Sequence, residues 1–383
     1  MREAVIIEAK RTPIGQYGGL FKHLEPEDLL QPLIKHMTQL HPAIAENIND
    51  VIIGNTVGNG GNIARKSLLH AGLSYHIPGM TVDRQCGSGL EAVNIACRMV
   101  QAGAGDIYLA GGVESVSRAP WKIQKPQSLY EKHPPEIYER APFTPETMGD
   151  PSMLEAAENV AQVYQVSRER QDAWAARSHH QYFAYQSQIQ QEIIPLTVHG
   201  EAVTQDESPK QKMTAQRLSR LKPLFKDGTV TVGNACPKSD GAALVLIMSK
   251  EKAEALGLKP LLKFTDAQTA GVNPKLLGIG PVPATEQLLM RRNLSVADID
   301  WTAFNEAFSS QVLASIDLLG LDEQKVNPFG GALAEGHPYG ASGANLVARL
   351  LSIQAYSPGN QLLAAIGIGG GLGIASLFEK AED

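Results

Sequence analysis

Apolar residues along this chain fall into short continuous runs separated by stretches of helical spacing. Residues 4–9, 51–57, 106–111 and 242–249 read as largely buried strands, and 27–40 and 87–101 as helices. In the second of these helices Leu90, Val93, Cys97 and Val100 share one face. The later chain repeats the plan. Residues 261–267, 301–305, 361–366 and 373–379 read as strands, and 283–292, 309–319 and 345–354 as helices, with a hairpin through Gly369-Gly370-Gly371-Leu372. Alternation of this kind predicts a layered α/β architecture with an internal duplication in the order of elements.

The texture changes between the halves. Residues 118–143 are rich in Pro, Lys, Glu and Tyr, and 153–190 return to helical spacing with Val160, Val163 and Tyr164 among the apolar positions. The segment 119–235 therefore reads as an insertion mounted on the first half. The division expected is 1–118 plus 236–260, 119–235, and 261–383.

With 383 residues the chain exceeds one small core. Its 43% hydrophobic and 19% charged residues are those of a globular protein, and a net charge of −6 argues against general nucleic-acid binding. The apolar run before Glu8 and Lys10 is too short for a signal peptide or membrane span, so a cytoplasmic location is expected. Three widely spaced cysteines, Cys86, Cys97 and Cys236, form neither a disulfide framework nor a metal cluster.

Glycine is abundant, with 36 residues, and it marks the candidate chemistry. Cys86 stands between a short extended run and a helix, beside Gly87 and Gly89. A helix N-terminus lowers a thiol pKa, and its free amides can receive charge developing on a thioester oxygen. The alternative is a small buried hydrophobe on a tight turn, which is the reading preferred for Cys97 on the apolar face. Asn305-Glu306 lies between a strand and a helix, where such a pair is usually a cap. His337, followed by Pro338 and enclosed by glycines, is a candidate base for the Cys86 thiol. Six cations (Lys210, Lys212, Arg217, Arg220, Lys222 and Lys226) fall within 208–226 with no Asp or Glu, a patch suited to phosphates or simply to solvent.

The motifs CGSG (86–89), NEAF (305–308), GHPYGASG (336–343) and GGGLG (369–373) resemble those of the thiolase family in order and spacing. So do 271–284 and 228–243, and the likeness covers essentially the whole chain. The resemblance implies two similar α/β domains in α/β/α/β/α layers with an inserted loop domain, assembled as a homodimer or homotetramer. It implies reversible cleavage of a 3-oxoacyl-CoA by coenzyme A, or its reverse, condensation of two acyl-CoA molecules, with no permanently bound cofactor and no metal. Carried over, Cys86 takes the acyl group and His337 activates it. Asn305 (through water) and His337 stabilise one oxyanion, and the amides of Cys86 and Gly369 the other. Met153, Cys236, Arg217 and Arg220 are the implied CoA contacts, with Leu154 and Tyr339 bordering the acyl and pantetheine path.

The chain departs from the family at three places. A second reactive cysteine is expected two residues before the last glycine run, but that position is Gly367, and Cys97 and Cys236, fixed in other segments, are not expected to fill it. Cys236-Pro237 stands where Ser-Gly is usual, and Glu335 where an apolar residue is usual. Glu335 or a water beside Gly367 is a candidate replacement base; otherwise Glu335 faces solvent or an interface. Three readings follow: a thiolase with an altered acid/base group, a thiolase-like hydrolase or other acyltransferase with weak carbon–carbon activity, and a non-catalytic acyl-CoA binder.

Overall fold

The computed structural model describes residues 2–126, 128, 130 and 134–382, and all that follows concerns these. The N-terminal half contributes β1 (Ala4–Arg11), α1 (Pro26–Leu40), β2 (Asp50–Gly54), α2 (Ile63–His70), β3 (Gly79–Val82), α3 (Ser88–Gln101) and β4 (Ile107–Glu114). After α4 (Met153–Val163) and α5 (Arg168–Ala184) it resumes with β5 (Ser239–Ser249). The C-terminal half carries β6 (Leu262–Gly271), α6 (Pro281–Arg292), β7 (Trp301–Phe304), α7 (Ser309–Leu319), α8 (Tyr339–Tyr356), β8 (Gln361–Ile368) and β9 (Leu372–Lys380).

The strand order is β7-β8-β9-β6-β1-β5-β4-β2-β3. In the first half β2 runs parallel to β3 and β4, and β5 antiparallel to β4 and β1. In the second, β7 runs parallel to β8, and β9 antiparallel to β8 and β6. The halves meet where Val5 and Ile6 of β1 pair with Lys263 and Leu262 of β6. The duplication expected from the pattern is present, and the second copy lacks a counterpart of β3.

Alternation along β5 explains the layers. Ala243, Val245 and Ile247 face a core shared with α3, α8 and the strands of the second half. Leu244, Leu246 and Met248 face Leu29, Leu30, Leu33, Ile34 and Met37 of α1. All eleven β5 residues are buried, which is why that run lacks polar alternation. On the far side Leu288 and Leu289 of α6 cover Leu363, Ala375 and Leu377. Helices α3 and α8 thus form the middle layer, and Cys97 lies wholly inside it.

Several boundaries differ from the pattern. Strand β2 stops at Gly54 because the backbone N–H groups of Thr56 and Val57 turn to the Glu114 carboxylate. Strand β4 runs on to Glu114, and α8 begins at Tyr339 rather than 345, since glycine and alanine fill its first turns. The helical stretch from 153 breaks at Gln165, whose φ is +54°, and Ser167 caps the restart by accepting from the Arg170 N–H. Val163 at this break is exposed, whereas Val160 is buried.

The insertion does not rest chiefly on the half that encloses it. Val160, Trp174, Ala175 and Leu218 share a core with Val312, Leu313, Ile316 and Leu333 of the second half. Within 119–143 the described residues include a short hairpin, Lys122–Ile123 with Ile137–Tyr138. Among the described residues no helix is long and apolar enough to cross a membrane, and no His/Cys/Asp/Glu group could hold a metal ion.

Candidate active site

Cys86 lies between β3 and α3 on a turn fixed from both sides. Gln85 before it has φ +47°, a left-handed conformation rare for a residue with a side chain. The Ser88 hydroxyl holds that shape, donating to Gln85 O at 2.6 Å and accepting from the Arg84 N–H at 2.8 Å. Two residues after the cysteine the helix begins, as expected, but the thiol pKa does not fall. Burial pushes it up to about 12, and the N–H groups of Gly369 and of Cys86 itself only partly offset this. The resting group is a thiol, so acyl transfer through it requires a base.

His337 sits one residue before the cap of α8 and is buried. Gly336 before it has φ +110°, and a Cβ there would stand 2.2 Å from the Ser239 hydroxyl oxygen, so only glycine fits. The ring Nδ1 lies 2.5 Å from the Ser342 hydroxyl oxygen, which is itself 3.1 Å from Pro338 O. With the hydroxyl donating to Pro338, Nδ1–H donates to Ser342, and Nε2 is the free acceptor. Nε2 is buried with no protein partner. Burial holds the imidazole pKa down at about 4, so the ring is neutral at neutral pH.

Glycines bring the two turns together. A Cβ on Gly89 would stand 2.6 Å from Gly340 O, and one on Gly343 2.3 Å from the Leu90 N, so α3 and α8 cross backbone to backbone at their first turns. Glu114, fully buried, locks this crossing: it accepts from Asn55 Nδ2, the Thr56 and Val57 N–H groups and the Gly340 N–H. Burial raises its pKa to about 7.

Asn305 follows β7 and is buried, its N–H donating to Ala365 O and its Nδ2 without a partner. It does not cap α7, whose cap residue is Phe308. Behind it a cavity of about 10 Å³, lined in part by Asn305, Gly336, Ser342 and Asn345, matches a single water. Glu306 is not a cap either; it accepts from Trp174 Nε1, the Ser178 hydroxyl and Asn327 Nδ2. Gly369, just after β8, closes the site: its N–H favours the Cys86 thiolate, and the Phe143 ring covers it so closely that a Cβ would stand 2.8 Å from a ring carbon. A Cβ on Gly367 would stand 3.1 Å from Gly278 O and 3.7 Å from Gln311 Nε2.

Cys236 does not occupy position 367, but it is not remote from the site. It is half-buried, packs with Met153 and Phe308, and donates its N–H to Ala307 O at 3.0 Å. Tyr339 stacks edge-on to His337 at 5.2 Å and is in electrostatic reach of both Cys236 and Cys86. Leu154 and the six cations of 208–226 are exposed; Arg217 donates to Lys212 O, and no contact joins these cations to Cys86.

Glu335 is neither solvent-facing nor beside Gly367. It is buried in an ion network, 2.6 Å from Arg349 Nη2 and 3.9 Å from Arg11 Nη2, with Glu192 and Asp206 completing it. Removing one member of a buried pair strands the remaining charge. Glu335→Ala is therefore expected to lower unfolding free energy by about 3 kcal/mol in urea titrations. Unchanged stability with a selective loss of carbon–carbon bond activity would restore its candidacy as a base.

Glu114, Ser342 and Phe143 carried no assignment in the sequence. A carboxylate ending the apolar run of β4 is the one available signal, for Glu114. Ser342 and Phe143 acquire their positions only from α8 and the insertion.

Comparison with known proteins agrees with this fold. Residues 4–251 match the family model "Thiolase, N-terminal domain" and residues 258–380 "Thiolase, C-terminal domain". The chain is 58% identical over 382 residues to a Staphylococcus haemolyticus protein named "Putative acetyl-CoA C-acetyltransferase VraB", covering 99% of each chain. It is 55% identical over 383 residues to the protein of that name from Staphylococcus aureus strain MRSA252, covering 99% of this chain and all of that one. The crystal structure of the Bacillus anthracis acetyl-CoA acetyltransferase superposes with a TM-score of 0.93 at 34% identity, covering 100% of this chain and 99% of that one. With both family models together spanning nearly the entire sequence, the chain belongs to the thiolase family.

Proposed function

We propose that this protein is an acyltransferase of the acetyl-CoA C-acetyltransferase type, working through an acyl-enzyme on Cys86. The observation that carries the reading is the Cys86 turn, which Gln85 holds in a left-handed conformation and which packs through Gly87 against Ile368, the residue before Gly369. Neutral His337 takes the thiol proton at Nε2, the sulfur attacks the acyl carbonyl, and the amides of Cys86 and Gly369 receive the oxyanion. Asn305, through one water, and His337 hold the second thioester oxygen. The family relationship and the relatives' names support the acyl-CoA substrate class.

The segment 119–235 serves as the CoA-binding region, with Met153 along the pantetheine arm and Arg217 and Arg220 offered to its phosphates. The exposure of all six cations supports that role. Gly367 favours one second reading: a loaded acyl-enzyme that transfers poorly to carbon and leaks to water.

Incubation with acetyl-CoA followed by intact-mass measurement is expected to show one acetyl adduct, mapped to Cys86 by peptide digestion. Cleavage of acetoacetyl-CoA by free CoA completes the test. No adduct under any trapping condition sinks the proposal, and an adduct without cleavage selects the second reading.

A further inference from the structure

The carbon–carbon step needs a group that gives a proton to the departing acetyl-CoA carbanion, or takes one from its methyl. Most titratable side chains around the site are engaged. Glu335 is paired with Arg349, Glu114 accepts from several amides at once, and Glu306 is held by Trp174, Ser178 and Asn327. His337 serves Cys86 in the reading above.

Cys236 stands apart from these. The extended segment 235–238 is laced between the two loops that carry the other site residues. Ala235 pairs antiparallel with Phe308, and Cys236 donates its N–H to Ala307 O, two residues from Asn305. Lys238 pairs parallel with His337, whose N–H donates to Pro237 O at 3.2 Å. The backbone at Cys236 is therefore held between the Asn305 loop and the His337 turn, with its thiol within electrostatic range of the Cys86 sulfur. These same two loops present buried polar atoms with no protein partner, Asn305 Nδ2 and His337 Nε2. The residue is only half-buried, which leaves part of it open to a substrate.

We infer that the Cys236 thiol is the proton-transfer group of the carbon–carbon step, taking the place of the cysteine absent at position 367. This rests on the acyl-enzyme reading above. In cleavage, the Cys86 thiolate adds to C3 of a 3-oxoacyl-CoA, its own proton resting on His337. The C2–C3 bond breaks with its electron pair on C2, and the Cys236 S–H proton passes to C2, releasing acetyl-CoA. The Cys236 thiolate then takes the proton of an incoming CoA thiol. That sulfur attacks the acyl carbonyl, and the bond to Cys86 breaks to return its thiolate. Condensation is the reverse. Burial, the Cys86 sulfur and Glu306 push the Cys236 thiol pKa up, which keeps it protonated for its role as the acid.

Three readouts on wild type, Cys236→Ser and Cys236→Ala test this: the acetyl adduct on Cys86, cleavage of acetoacetyl-CoA, and deuterium uptake into the acetyl-CoA methyl in D₂O. Both variants are expected to keep the adduct. Exchange and cleavage fall by about 10²–10⁴-fold, serine included, because a hydroxyl titrates far too high to relay the proton. Exchange and cleavage within about threefold of wild type would overturn the inference, the span being small beside that loss. So would parallel loss of the adduct in both variants, which marks a structural role. Wild type that loads acetyl without exchange or cleavage overturns it while leaving the acyl-enzyme intact, whereas wild type that never loads removes the reading beneath it.

Discussion

Cys86→Ser is expected to abolish the acetyl adduct and to lower acetoacetyl-CoA cleavage by at least ~10⁴-fold, the scale seen when a covalent nucleophile is removed. The loss is chemical rather than structural. The turn is held by the Ser88 hydroxyl between Gln85 O and the Arg84 N–H, and by the Thr56 hydroxyl donating to Gln85 O at 3.1 Å. None of these bonds uses the sulfur, so the variant is expected to melt with the wild type. A hydroxyl is still harder to ionise than a thiol that burial has already raised to about 12. Intact-mass spectra and a coupled cleavage assay on the same preparation check both halves. Retention of even a tenth of wild-type cleavage would place the nucleophile elsewhere.

His337→Ala is expected to slow acylation of Cys86 by about 10²–10⁴-fold at pH 7 and to change the shape of its pH profile. A thiol with a pKa near 12 is ionised at pH 7 to roughly one part in 10⁵, so unaided attack is slow. In the wild type the imidazole, held down at about 4, is neutral and ready to accept the proton across the neutral range. Acylation should then be flat from about pH 6 to 9 and fall only as pH drops toward 4, where the ring gains its proton. Without the ring, acylation follows the thiolate fraction and rises about tenfold per pH unit through the same range. Stopped-flow or quenched acylation with acetyl-CoA reads both slopes. A flat profile in the variant would mean that another base serves Cys86.

The pKa values of these two residues show how burial reverses an inference from local sequence. A cysteine ahead of a helix suggests a lowered pKa, because the helix end favours an anion. The dominant influence on Cys86 is instead desolvation, with its turn packed against Ile368 at the end of β8 and the first turn of α8, which the local sequence cannot reveal. Cys236 reverses in the other direction. It lies 150 positions from Cys86 and in a different segment from Gly367, yet its backbone is hydrogen-bonded into the Asn305 loop and the His337 turn. Glu335 looked free to act as a base, and two buried arginines, Arg11 and Arg349, hold it instead.

Position in the repeat, by contrast, was legible. Periodicity alone places the strands other than β3 and most of the longer helices, because burial on both faces of a sheet demands unbroken apolar runs and burial on one face of a helix demands a stripe. The glycines of 86–89 and 336–343 mark where two helices approach backbone to backbone, a demand met only by residues without side chains. The sequence by itself therefore determined the layered α/β plan, the family, and the candidacy of Cys86 and His337. The tertiary structure decided which groups are desolvated, which carboxylates are neutralised by distant arginines, and which thiol lies within electrostatic range of Cys86. Those outcomes depend on contacts such as Arg11 with Glu192 and Glu335, between residues far apart in sequence, and solvation and charge pairing act through space rather than along the chain.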